Sequence, residues 1–124
     1  MVNGITSRVR NAAYTSLFTG LASFFDRLSA AEELTPSPEF QSALASFLDT
    51  TLFIDTEISF ERIRLARATA VLKFVQAARK HGKEVLCVEA GQREVVGKML
   101  DAERSFEVRK VLGDAKGLLA DLEI

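Results

Sequence analysis

Tyr14, Leu17, Phe18, Leu21, Phe24, Phe25 and Leu28 recur at three- and four-residue steps, which predicts a helix with one continuous apolar stripe. The opposite face carries Thr15, Ser16, Thr19, Gly20, Ala22 and Ser23. Solvated helix faces usually carry Lys and Glu, whereas small uncharged residues let another backbone come close. This helix is therefore expected to be packed on both sides. A second helix is signalled by Ser37 as N-cap, Pro38 at the first helical position and Glu39 at the positive helix end. Phe40, Leu44, Phe47 and Leu48 make its buried stripe, to about Thr50. Leu52 to Ile54 reads as a helix end, a turn or a brief strand.

Asp55 or Thr56 is placed to cap a third and longest helix, closed at His81 by Gly82, with Arg79 and Lys80 favourable in its last turn. Arg62, Thr69, Lys73, Gln76 and Lys80 share one narrow stripe. Apolar residues cover well over half of the remaining circumference, the pattern of a central helix. Arg64 and Arg67 fall inside that apolar arc. They are expected to lie along apolar surface with their heads paired, the candidate partners being Asp49, Asp55 or an acid from another subunit.

Val85 to Val88, bounded by Gly82 and Gly91, reads equally as a short strand or a helical turn. In the tail, Val95, Met99, Ala102 and Phe106 share one face, and Val108, Val111, Leu112, Ala115, Leu119 and Leu122 nearly the opposite one. The change of phase predicts a break near Arg104 and Ser105 with Ser105 as cap, and Gly113 or Gly117 as an early end. No period of 20 to 50 residues recurs, so a solenoid is not expected. The fold class is mainly α: one compact bundle of four to five helices over 1–124, with one or two short strands at 52–54 and 85–88 as the variant.

Composition narrows the function. At 124 residues and 48% hydrophobic, the chain has enough apolar material for a core and an excess that favours burial against other chains. One cysteine excludes an internal disulfide and fits a cytoplasmic setting. Arg8 and Arg10 precede an uncharged run from Ala12 to Phe25, but the polar residues in that run weaken any likeness to a signal peptide. No stretch approaches the ~20 apolar residues of a membrane span.

Charge is the more informative property. Net charge is −1, yet 28–60 carries Glu32, Glu33, Glu39, Asp49, Asp55 and Glu57 and no base, whereas 62–83 carries seven bases and no acid. Either the basic helix meets a polyanion, or the two segments neutralise each other. No phosphate loop, dinucleotide turn or zinc pattern occurs, so no cofactor or metal is expected. His81 and Cys87 as base and nucleophile, and Asp55, Glu57 and Glu61 as paired carboxylates, are weaker candidates that nothing else orients.

The sequence thus leads to a non-catalytic helical subunit that assembles with itself or with other proteins. It would serve as a coat or scaffold, or as an accessory subunit of a nucleoprotein complex. Arg62, Lys73, Arg79, Lys80 and Lys83 would contact nucleic-acid backbone without reading sequence. The alternative is a small α/β ligand-binding or catalytic domain whose sheet is completed by dimerisation through Val85 to Val88.

Overall fold

The computed structural model describes residues 2–54 and 57–122, with side chains from Arg8 onward. Five helices follow one another: α1 (Val2–Ala30), α2 (Pro38–Thr51), α3 (Glu61–His81), α4 (Ala90–Ala102) and α5 (Phe106–Asp121). α1 packs on α3, α3 on α5, and α5 on α4. α3 therefore lies between α1 and α5. Thr50 and Thr51 of α2 and Met99 of α4 border cavities that Arg67 lines, on the side of α3 turned away from Arg62, Leu65 and Thr69.

The central place of α3 follows from its composition. Ala68, Ala70, Ala77 and Ala78 are almost fully buried and let neighbouring helices approach. Phe74 anchors the core, meeting the ring of Phe25 from α1 at 5.2 Å and that of Phe53 at 5.4 Å, both edge-on. Leu44 and Leu48 bring α2 into this core, but no other helix backbone comes close to it. Instead Gln41 Nε2 donates to Glu84 O at 3.2 Å, and Cys87 Sγ donates to Gln41 O at 3.4 Å. α2 is thus held by its apolar stripe and by the loop after α3.

Several boundaries match the expectations. Ser37 Oγ accepts from Phe40 N, and Ser105 Oγ accepts from Val108 N. Gly82 closes α3 with φ 108° and ψ 144°, its N–H donating to Ala78 O at 2.7 Å. A side chain is strained at that φ, so glycine is required.

Other expectations need correction. No strand occurs among the described residues. Leu52 and Phe53 finish α2 as buried core residues, with both N–H groups bonded to Leu48 O. Val85 to Val88 lies in successive turns in which Val88 N donates to Lys83 O at 2.8 Å, and Cys87 takes φ 59°. With its N–H groups spent on local turns and Leu86 drawn into the core, this run has no extended edge for a sheet completed by dimerisation. α3 begins at Glu61 with Phe60 as N-cap and no side-chain cap; Asp55 and Thr56 lie outside the described residues. Neither Gly113 nor Gly117 ends α5, because Leu112, Ala115 and Leu119 bury a stripe through both. Within this chain α1 is packed on one side only: Ser16, Thr19, Gly20 and Ser23 are exposed. Phe106, expected on the stripe of Val95 and Met99, instead starts α5 and is 81% exposed.

Candidate functional site

Two places on α3 gather its charged side chains. The first is the corner where α3 and α5 begin. Arg64 lies in the apolar arc of α3, and the turn between α4 and α5 brings Glu103 to it. Arg64 Nε donates to Glu103 Oε1 at 2.8 Å, and its other guanidinium arm donates to Ser59 O at 2.8 Å and Ile58 O at 3.1 Å. Glu103 Oε2 accepts from Ser105 N at 3.0 Å and Arg104 N at 3.1 Å. Burial by itself pushes the Glu103 carboxyl up. The Ser105 N–H, the Arg64 guanidinium and the Arg104 N–H together outweigh it and hold the group below the usual carboxylate range. Ser105 Oγ donates to Glu61 Oε1 at 2.6 Å, and Arg109 donates to Leu100 O and Glu103 O, which finishes the end of α4.

A cavity of about 590 Å³ opens beside this corner, lined by Ile58, Arg64, Arg67, Met99, Glu103 and Arg104 among others. Arg67 is buried, between this cavity and a smaller one bordered by Tyr14, Leu17 and Ile58. Arg64 and Arg67 therefore lie on apolar surface as expected. The partner of Arg64 is Glu103 and not Asp49; the other candidate, Asp55, lies outside the described residues. Sequence reasoning missed Glu103. Its only signal was its position at the phase change, two residues before the cap.

The second place is the stripe of Arg62, Lys73, Arg79, Lys80 and the adjoining Lys83. All five lie on or just after α3, but their surroundings differ. Arg62 and Arg79 are exposed. Lys73 Nζ pairs with Asp26 at 3.1 Å across the α1–α3 contact. Lys80 donates to Ser29 O and Lys83 to Leu122 O. His81 Nε2 is bonded to Leu28 O at 2.6 Å, so Lys80 and His81 both fasten the end of α1. Between Lys73 and Arg62 the outward side of α3 is apolar and uncovered. There Leu65, Ala66 and Thr69 join Phe18, Thr19 and Ala22 of α1 around a groove of about 290 Å³.

The remaining candidates do not come together. His81 faces α1, whereas Cys87 bonds to α2. Burial, and then the Glu89 carboxylate, push the Cys87 thiol up, away from a reactive thiolate. Glu61 is bonded to Ser105, and Glu57 borders the large cavity. No group of His, Cys, Asp or Glu suited to a metal ion occurs among the described residues, and no described helix is long and apolar enough to cross a membrane.

Five helices gathered about α3, with no strand among the described residues, define an all-helical protein. The chain belongs to the family described as ECM29, C-terminal ARM-like repeats, whose model matches residues 1–118. No curated protein and no solved structure matches the chain. Membership overturns the expectation against a repeat architecture that rested on the missing period. The odd-numbered helices have 29, 21 and 16 residues, so equivalent positions do not recur at a fixed spacing. ARM-like repeats are generally non-catalytic and present surfaces for other proteins.

Proposed function

We propose that this chain is a non-catalytic scaffold segment that holds a protein partner on the open side of the α1–α3–α5 layer. One observation carries the reading. The outward side of α3 is part-buried and apolar at Leu65, Ala66 and Leu72, where grooves open against α1 and α5 and no further described helix packs. Apolar surface left open between charged rims is the usual composition of a protein contact. Chemical cross-linking of the protein with its bound partner, mapped by mass spectrometry, tests this. Cross-links should gather at Lys73 and Lys80 rather than at Lys98 of α4 and at Lys116, which lies beside Gly97 of α4. An even spread over all lysines would overturn the reading.

Contact with nucleic-acid backbone is the second reading, supported by Arg62, Lys73 and Lys80 on one stripe of α3 with the exposed Arg79 at its end. The internal bonds of Lys73, Lys80 and Lys83 weigh against it, since phosphate contact would have to displace them. Binding to unrelated duplexes at two salt concentrations decides: phosphate contact requires measurable, sequence-independent and salt-sensitive affinity.

A further inference from the structure

Phe40 and Phe47 remain 38% and 39% exposed on α2, seven residues and so about 10 Å apart along the helix. With Ala43 between them and Glu39 beside Ala43, they form an apolar edge on the helix that no other helix backbone approaches. The α1–α3 groove, with Arg62 on its rim, belongs to the opposite side of α3. We infer that the occupant of the α1–α3 groove is α2 of a second copy of this chain, so that copies join front to back. This deepens the scaffold reading above and rests on it.

Charge selects the occupant. The segment containing α2 carries Glu39 and Asp49 and not one base from 28 to 60. The lining of the α1–α3 groove carries Arg62 and no acid, and the Phe40–Phe47 edge has Glu39 beside it, Asp49 lying on the other face of α2. Joining two grooves opposes Arg62 to Arg62, and joining two α2 edges opposes Glu39 to Glu39. Only the front-to-back contact brings unlike signs together over apolar surface. Such a contact is heterologous: each copy keeps a free front and a free back, so assembly continues beyond a dimer.

Two variants separate this from other contacts. F40S/F47S alters the back without adding charge, and R62E/T69E alters the front; all four positions are exposed or half-buried, and retained helical circular dichroism checks folding. Wild-type protein in analytical ultracentrifugation should form species larger than a dimer that shrink as salt rises. Each variant alone should associate at least about tenfold more weakly, the effect of losing one central anchor. Mixed together, the two should form a one-to-one heterodimer and stop, because one sound front then meets one sound back. A wild-type chain that stays monomeric overturns the inference. So does a closed wild-type dimer that neither variant weakens, or a mixture that gains nothing over its components. A chain that stays monomeric yet takes up another protein through the groove overturns the self-contact and leaves the scaffold reading standing.

Discussion

Arg64 and Glu103, 39 residues apart in the chain, meet at 2.8 Å with the Glu103 side chain only 3% exposed. Arg64 Nη1 donates to two carbonyls and Glu103 Oε2 accepts from two backbone N–H groups, so the ion pair, the end of α4 and the start of α5 form one connected network. Removing one member leaves the others buried without an equivalent partner.

Glu103→Leu should therefore destabilise the fold by on the order of 3 kcal/mol, measured by urea denaturation, because it strands the Arg64 guanidinium. The double variant R64M/E103L should recover much of that loss, since an apolar pair of similar volume removes both desolvation costs. A double variant no more stable than E103L would contradict the pairing.

Acid should act through the same carboxylate. The folded state holds Glu103 below its ordinary value, so it binds that proton less readily than the unfolded chain does. The stabilisation is fully present above the unfolded Glu value of about 4.3 and is lost as pH falls through the lower folded value. Denaturation midpoints measured from pH 6 to pH 3 should fall, and E103Q should fall less steeply over that window.

Phe74 has no exposed surface and two edge-on aromatic neighbours. Phe74→Ala should cost about 3–5 kcal/mol, the range for a buried ring replaced by a cavity. Differential scanning calorimetry of the variant against wild type gives the check.

Ala77 is wholly buried on the flank of α3 that also carries Ala70 and Phe74. Ala77→Leu should destabilise by about 1–3 kcal/mol through overpacking, although leucine is a good helix former. An equal substitution at the exposed Gln76 should be nearly neutral in the same thermal melt, which separates packing from helix propensity.

Local signals were legible where chemistry is local. Ser37 followed by Pro38, Gly82 after His81, and Ser105 at the change of phase all mark real helix boundaries. The apolar coverage of α3 correctly gave it the central position. Tertiary choices were less legible. Val85 to Val88 has strand-like composition, but turn bonds and the burial of Leu86 outweigh that preference. Phe106 continued the spacing of α4 on paper and lost its place when Glu103 broke the helix. Among the described residues, the ion pairs of Arg64 and Lys73 are made with Glu103 and Asp26, outside the acidic run, because pairing follows the neighbours of α3 rather than the nearest acids in sequence.

The way α2 is attached has a dynamic consequence. Its hold on the rest of the chain is Leu44, Leu48 and a few side-chain bonds to the loop after α3, whereas α3 is clasped on both flanks. Partial opening that releases α2 breaks little of the core, so its amides should exchange hydrogen for deuterium well before those of α3. The helix bearing Phe40 and Phe47 is thus the part of the molecule with the most freedom to adjust its angle, and a bound neighbour would slow its exchange first.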